Sequence, residues 1–198
     1  MYMLLRCAAL CLCLLPVLCF STEYSRKEGD KSINFSFNGL EASDYKYGIG
    51  GKYWKNNNIA LTGSIDFGDS DLEVFIDNGG AVTSSNAESD FYEVSFGVER
   101  HIDSVSKVSP YMGFEVFYSK VNSISENVTK RESESSAYGI SALVGVEYYV
   151  NQDISLSAEY LFSYSKSVLK STSSGSRTKN NISDFSAGAG ALVLSVYF

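Results

Sequence analysis

Residues 138–148 read YGISALVGVEY, in which every second position from Tyr138 to Tyr148 is apolar or aromatic. The intervening positions include Gly139, Ser141 and Glu147. A period of two places successive side chains on opposite faces of a β-strand, whereas an amphipathic helix repeats every ~3.6 residues. This stretch therefore predicts a strand with one apolar face and one polar face.

The same alternation recurs along the rest of the 198-residue chain. It predicts eight strands, over residues 33–38, 45–53, 59–67, 92–99, 111–118, 138–148, 154–163 and 186–198. The eighth is weaker, because Gly188 and Gly190 lie in it and Val193 interrupts its polar face. A tilted strand needs about 9–11 residues to cross a bilayer, close to the length of these segments. The predicted fold is all-β, an eight-stranded antiparallel up-and-down transmembrane β-barrel.

The predicted connections alternate in length. Residues 55–58, 100–108 and 151–153 are short and turn-like, whereas residues 68–90, 119–136 and 165–183 are long and polar. Short periplasmic turns and longer outer loops are typical of outer-membrane barrels. Among charged residues, the loop at 68–90 carries only acids, which are Asp69, Asp71, Glu73, Asp77, Glu88 and Asp90. The loop at 165–183 carries only bases, which are Lys166, Lys170, Arg177 and Lys179. These loops either attract one another across the mouth, meet different partners, or are ordinary solvated loops.

A soluble lipocalin-type barrel has the same periodicity, with its apolar face turned inward. Two features favour the membrane. The polar face is rich in Gly and Ser, as a narrow eight-stranded lumen requires. Aromatic residues gather at the strand ends, where interfacial girdles form. They are Tyr45, Phe67, Tyr92, Tyr118, Tyr138 and Phe162 towards the loops, and Tyr53, Tyr148 and Phe198 towards the turns.

The first 21 residues differ in composition from the rest. A short start containing Arg6 precedes the apolar run CAALCLCLLPVLCF at 7–20, which is too short to cross a bilayer as a helix. This pattern predicts a signal peptide over residues 1–21, followed by a polar tether at 22–30 and the barrel at 31–198. All four cysteines lie in the leader. A lipid-modified Cys19 is the weaker alternative, because Leu18 before it is not small.

Several segments resemble a known family. The ending LSVYF at 194–198, the sequence PYMG at 110–113 and the pair GVEYY and LSAEY at 145–149 and 156–160 are similar to segments of small OmpA/OmpX/opacity-type outer-membrane barrels. The resemblance covers residues 31–198 and implies localisation in the outer membrane of a Gram-negative-type bacterium. It implies that Leu192, Leu194, Val196 and Phe198 form the signal read by the outer-membrane assembly machinery. It does not include the peptidoglycan-binding domain of OmpA.

The polar face predicts a network of charges in the lumen. Its members are Lys46, Lys52, Glu93, Glu99, Glu115, Glu147 and Glu159. Buried charges in a narrow lumen must pair, because an isolated one is costly. We therefore expect a plug of salt bridges and hydrogen bonds, although the excess of acids leaves open a cation path through a conducting pore.

The sequence offers no convincing catalytic, cofactor or metal site. Its only histidine, His101, falls at the turn side of the fourth strand, where we expect a solvated turn residue. Asp69 and Asp71 lack the later ligands and central glycine of a calcium loop. The formal charge of −7 argues against a nucleic-acid partner.

These observations predict a non-enzymatic outer-membrane barrel that acts through surface loops, in a structural, adhesive or environment-contact role. Its expected partners are outer-membrane lipids, the assembly machinery and an unidentified surface ligand. Residues 72–76 alternate beyond the bilayer span, so strand three is expected to project as a ribbon with an open edge. A narrow porin-like channel for small solutes is the alternative, and an enzyme is third.

Overall fold

The computed structural model describes residues 26–38, 45–77, 82–102, 107–126, 130–173 and 176–198. The predicted signal peptide at 1–21 lies outside these residues, as does the first part of the predicted tether. The described residues contain no helix that is long and apolar enough to cross a membrane.

Eight strands account for most of the described residues. They are β1 (Lys31–Asn38), β2 (Tyr45–Trp54), β3 (Ile59–Asp77), β4 (Val82–His101), β5 (Val108–Glu126), β6 (Lys130–Tyr149), β7 (Ile154–Ser173) and β8 (Ser176–Tyr197). Each pairs antiparallel with the next, and β8 pairs with β1 from Tyr197 opposite Ser32 to Ala191 opposite Asn38. The strands therefore form a closed barrel, and the predicted fold and strand order are confirmed.

The apolar face of the barrel points outward. Phe96 and Phe114 are 65% and 67% exposed, and their neighbours on the opposite face of the same strands point into the lumen. Lys52 and Glu147, on that inner face, are 4% and 0% exposed. An apolar outer wall around a polar, filled lumen suits a barrel surrounded by lipid.

Two of the short turns use the same hydrogen-bonding device. The side-chain oxygen of Asn56 accepts hydrogen bonds from the backbone N–H groups of Asn58 and Ile59, at 2.9 and 2.8 Å. The side-chain oxygen of Asn151 accepts them from Asp153 and Ile154, both at 2.8 Å. An Asx turn of this kind satisfies backbone donors that a tight reversal leaves unpaired. We call this end of the barrel the turn end and the opposite end the loop end.

The prediction of three long loops at the loop end is wrong. Pairing of β3 with β4 continues to Asp77 opposite Val82, that of β5 with β6 to Glu126 opposite Lys130, and that of β7 with β8 to Ser173 opposite Ser176. Water reaches both faces of the sheet beyond the bilayer, so pairing continues there without the need for an apolar face, and alternation persists only in short stretches such as residues 72–76.

Exposed aromatic residues mark where the apolar band ends on six of these strands: Phe67, Tyr92, Tyr118, Tyr138, Tyr164 and Phe185. Beyond them lie residues 70–77, 82–90, 120–126, 130–136, 166–173 and 176–184, which we call the extension. At about 3.3 Å per residue, the extension adds roughly 25 Å of strand. The side chain of Tyr45, predicted for this girdle, is not described, and Phe162 is exposed two residues before Tyr164.

The extension is an open sheet. Since β1 ends at Asn38 and β2 begins at Tyr45, residues 70–77 of β3 pair only with β4 among the described residues. Residues 176–190 of β8 pair only with β7, on the same basis. The extension therefore has two edges, one on β3 and one on β8. The edge on β3 agrees with the expectation that strand three projects as a ribbon with an open edge.

The outward position of Val144 gives a test of which face meets lipid. We expect Val144→Arg to lower the free energy of unfolding by roughly 2–4 kcal/mol, because the charge would lie near mid-bilayer. The matched Asn122→Arg change lies in the extension and should have no measurable effect. Urea titration of the protein refolded into phosphatidylcholine vesicles measures both, and equal losses would contradict the facing.

Candidate functional site

The lower lumen holds a cluster of buried charges near the turn end. The Lys52 ammonium lies 2.6 Å from Glu99 Oε2 and 4.0 Å from Glu147 Oε2. All three side chains are at most 5% exposed. One cation thus faces two carboxylates, and the structure brings together three of the seven residues predicted for the lumen network.

Hydroxyl groups supply the hydrogen bonds of Glu147, and His101 Nδ1 lies 3.7 Å from its Oε2. Its carboxylate accepts hydrogen bonds from Ser155 Oγ and from the hydroxyls of Tyr197 and Tyr149. These donors come from β6, β7 and β8, so the carboxylate is held from three strands. A buried carboxylate with this many donors is satisfied without a second cation.

Aromatic residues form a floor beneath this cluster. Trp54, Ala60, Tyr149 and Tyr197 pack together, each at most 6% exposed. Arg26 lies below them, with its guanidinium carbon 3.3 Å from the ring centre of Tyr197. The floor closes the turn end of the lumen.

The described part of the predicted tether is attached to the floor. Arg26 Nη1 donates a 2.9 Å hydrogen bond to the carbonyl oxygen of Gln152. Gly29 N–H donates to the carbonyl of Trp54, and Trp54 N–H donates to that of Asp30. Gly29 has φ of +92°, a conformation that favours glycine and turns the chain onto the strand end. Residues 26–30 therefore belong to the barrel structurally.

The prediction for His101 is wrong. This residue lies at the turn end, as expected, but it is buried and not solvated. Its Nε2 lies 3.0 Å from Glu99 Oε2 and its Nδ1 lies 3.2 Å from Ser109 Oγ. Its ring stacks on Tyr111, with ring centres 4.6 Å apart. The alternation of β4 continues to its last residue, so His101 points inward like Glu99.

Serine, histidine and glutamate in contact resemble a hydrolytic triad only in composition. Ser109 and His101 are both buried, and the cavity above the cluster is lined by Glu99 but by neither of them. Glu99 is also engaged by the Lys52 ammonium. A nucleophile needs open space for a substrate carbonyl next to it. The arrangement is therefore suited to structure and not to acyl transfer.

A small acidic cavity of about 100 Å³ lies in the lumen above the cluster. Predicted network residues Glu93, Glu99, Glu115 and Glu159 line it, together with Asp66. Asp66 accepts hydrogen bonds from Ser36 and Ser64, and Glu159 accepts one from the Tyr111 hydroxyl at 2.5 Å. Serine and tyrosine hydroxyls thus stabilise carboxylates for which the lumen has too few cations.

Lys46 lies apart from the Lys52 cluster, towards the loop end. Its ammonium sits 4.1 Å from the ring centre of Phe91. Both residues border a pocket of about 180 Å³ with Asp69 and Ser70. Lys46 therefore makes a cation–π contact at the mouth of the lumen and takes no part in the lower cluster.

Sequence reasoning missed Trp54 and Tyr149 of the floor, and it left Asp66 out of the charged network although the alternation of strand three places Asp66 on the inner face. Trp54 has the same parity as Lys52, and Tyr149 has the same parity as Glu147. Following the inner face one position further would have placed both in the lumen. Gly145 was assigned to this face correctly, and a Cβ there would lie 2.5 Å from Tyr111 Cζ, so glycine makes room for the tyrosine ring.

The residues predicted as an assembly signal end the last strand. Leu192, Val196 and Phe198 are exposed on the outer wall and Leu194 is half-buried there. The intervening Val193 and Ser195 point into the lumen. Recognition by assembly machinery stays a prediction.

A closed eight-stranded ring with an apolar outer wall and a filled polar lumen is typical of a membrane barrel. Residues 28–192 match the family model described as the outer membrane protein beta-barrel domain. The chain belongs to this family. The predicted family resemblance and outer-membrane localisation are therefore confirmed.

Solved structures of other outer-membrane proteins share the fold of this family member. Neisserial surface protein A aligns with a TM-score of 0.52 and 17% identity, over 85% of this chain and 94% of that one. A major outer membrane protein from Thermus thermophilus gives 0.58 and 12%, over 85% and 99%. The outer membrane protein OprG from Pseudomonas aeruginosa gives 0.57 and 13%, over 88% and 98%. At these identities the likeness concerns the fold alone.

A comparison with curated proteins found no match. In the part of this outer-membrane protein that the structure describes, no group of three or more His, Cys, Asp or Glu side chains is arranged to hold a metal ion.

The Lys52 cluster gives a prediction about stability. Lys52→Met should lower the free energy of unfolding by roughly 3–5 kcal/mol, because two buried carboxylates lose their cation. Adding Glu99→Gln should recover part of the loss. Lys120→Met removes a 2.9 Å ion pair with Glu134 in the extension and should change nothing measurable. Urea unfolding in vesicles measures all three, and an unaffected Lys52→Met variant would disprove the pairing role.

Proposed function

We propose that this outer-membrane barrel is non-enzymatic and makes contacts outside the cell through the extension. The main support is that six of the eight strands continue as paired sheet beyond the aromatic residues. Continuous pairing makes the extension a firm platform, whereas unpaired loops would lose more conformational entropy on binding. This supports a structural, adhesive or environment-contact role.

The free edges of the extension suit a partner that binds in extended form. An unpaired edge presents backbone N–H and C=O groups to which another strand can add. Residues 69–77 of β3 carry four acids and no base, whereas Arg177 and Lys179 lie on β8. Charges on edge strands limit unspecific aggregation, so they favour selective contact over self-association.

The filled lumen argues against the alternative of a porin-like channel. The floor of Trp54, Tyr149 and Tyr197 closes the turn end, and the Lys52 cluster lies directly above it. The acidic cavity above these residues measures about 100 Å³, room for a few waters. An open path would need both layers to move.

The wall and the floor also support the remaining expectations. The outward apolar residues suit contact with outer-membrane lipids, and the exposed Leu192, Val196 and Phe198 are accessible to assembly machinery. Burial of His101 removes the one histidine from contact with any substrate. These features support a non-enzymatic role, and the formal charge of −7 argues against a nucleic-acid partner.

Conductance measurements separate this proposal from the channel. In planar bilayers, refolded protein should give no stable open state, because the aromatic floor blocks the lumen. The Trp54→Ala/Tyr197→Ala double variant, which opens the floor, should show more frequent current bursts than the parent. Reproducible long-lived open steps from the parent protein would instead support the channel.

Shortening the extension tests the contact role. Residues 72–87, 123–133 and 168–181 are each replaced by Asn-Gly, a two-residue turn that joins the paired positions Asp71 with Glu88, Asn122 with Glu134 and Ser167 with Ile182. The barrel should still fold, but adhesion of a bacterial host expressing it to cultured epithelial cells should fall to the level of the host alone.

Asn57→Gly at the turn end serves as the control and should leave adhesion unchanged. A heat-dependent shift in electrophoretic mobility verifies that every variant forms a closed barrel. Equal adhesion by the parent and shortened proteins, or none by the parent above the host, would overturn the contact role.

A further inference from the structure

Four outward-pointing residues form a compact block on the β7–β8 part of the extension. Lys170 is paired directly with Lys179, and Thr172 is paired directly with Arg177. Directly paired residues on one face have Cβ atoms about 5 Å apart. The block therefore presents two ammonium groups, a guanidinium and a hydroxyl within the reach of one small ligand.

The cations of this block exceed the acids available to them. Glu134 lies 2.9 Å from the Lys120 ammonium but 3.9 Å from that of Lys170. The hydrogen bond from Lys120 lowers the pKa of Glu134, which remains an anion committed chiefly to that lysine. Within the described part of the chain, Arg177 and Lys179 have no acid within 4.0 Å.

Two lysines placed directly opposite one another repel. Like charges in a cross-strand pair are destabilising. Many other positions of the extension carry uncharged polar residues such as Ser and Asn, which would avoid this repulsion. An anion bound between Lys170 and Lys179 would turn this repulsion into two attractive contacts. The pairing is thus an independent sign that the block is completed by an anion.

The block forms one side of a groove of about 640 Å³. The other side includes Glu132 and Glu134 on β6, in register with Thr172 and Lys170. These acids repel an anion and so confine it to the β7–β8 side. A groove of this volume admits a sugar-sized group attached to the anion.

The donors fit a tetrahedral oxyanion. Guanidinium and ammonium groups are preferred ligands of phosphate and sulfate oxygens, and a threonine hydroxyl adds a neutral donor. A ligand with a carboxylate group has two oxygens and would bind fewer of the four donor side chains than the three terminal oxygens of a phosphate or sulfate ester. The chemistry favours a phosphate or sulfate ester.

The position of the block indicates that its ligand comes from the aqueous side. Lys170 lies six residues beyond the girdle residue Tyr164, roughly 20 Å along the strand. Aromatic girdles lie at headgroup level, so phospholipid phosphates remain near Tyr164. They would not reach Lys170 without a large headgroup.

We propose that Lys170, Thr172, Arg177 and Lys179 bind the phosphate or sulfate ester of an anionic glycan approaching from outside the cell. This inference rests on the proposed contact role of the extension and specifies the chemistry of one of its contacts. The block belongs to the outward face and is separate from the strand edges.

The test uses inorganic tripolyphosphate as the probe and the full-length protein in nanodiscs. In phosphatidylcholine nanodiscs, isothermal titration should detect binding that weakens as salt rises. Lys170→Gln/Lys179→Gln should bind roughly tenfold more weakly or worse, as expected for the loss of charge-assisted contacts. The charge-matched control Lys27→Gln/Lys55→Gln, at the turn end, should bind like the parent.

Thermal unfolding provides a second readout. Tripolyphosphate should raise the melting temperature of the parent and the control but not that of Lys170→Gln/Lys179→Gln. Without the probe, that variant should melt no earlier than the parent, because a repulsion has been removed. Equal binding by all three proteins would overturn the proposed site.

A further arm distinguishes the membrane as the source. Nanodiscs containing phosphatidylglycerol should leave the affinity for tripolyphosphate unchanged, because the block lies above the headgroups. Loss of probe binding in those discs, restored by Lys166→Gln near the girdle, would show that lipid headgroups occupy the block. That outcome would overturn the aqueous-side proposal while leaving the adhesion experiment unaffected.

Discussion

Closure of the ring between β1 and β8 sets the conditions for every other feature of this barrel. Inside a bilayer no water is available to pair with backbone N–H and C=O groups, so a sheet can cross only if it has no free edge. The seven pairs from Ser32 opposite Tyr197 to Asn38 opposite Ala191 remove that edge. The first and last strands are far apart in sequence, yet each is incomplete without the other.

A closed ring of eight strands leaves a narrow lumen, and this explains the chemistry inside it. Lys52 is placed between two carboxylates, and tyrosine and serine hydroxyls satisfy the acids that it does not reach. Gly145 admits the Tyr111 ring because nothing larger fits. The network and the aromatic floor fill the lumen and neutralise its charges. The lumen therefore supports transport or catalysis less well than the extension supports a contact role.

Beyond the bilayer the constraint is lifted, and the architecture changes accordingly. Water can pair with the backbone, so β3 and β8 can end in open edges without penalty, and polar residues can occupy both faces. The sheet nevertheless continues across six strands. Both proposals for this protein concern that region. The contact proposal uses the unpaired backbone groups of the edges, and the anion-binding proposal uses the cations that lie close together on the outward face.

Local periodicity in the sequence was enough to predict the general architecture. Alternation indicated the eight strands, because lipid on one side and a lumen on the other impose a period of two. The Gly- and Ser-rich polar face and the aromatic residues at the strand ends indicated which face points outward. It also supplied the charged members of the lumen, from Lys52 to Glu159. It misjudged residues 68–90, 119–136 and 165–183, because strands with water on both faces need no apolar alternation.

Which distant residues meet could be learned only from the folded ring. His101 was expected in solvent, yet the inner face of β4 carries it against Glu99, Ser109 and Tyr111. The sequence alone also could not predict that Arg26 packs on the Tyr197 ring or that Lys170 pairs with Lys179. Periodicity reports which face a side chain occupies, but the register between strands, fixed by closure of the whole ring, decides which residue stands opposite.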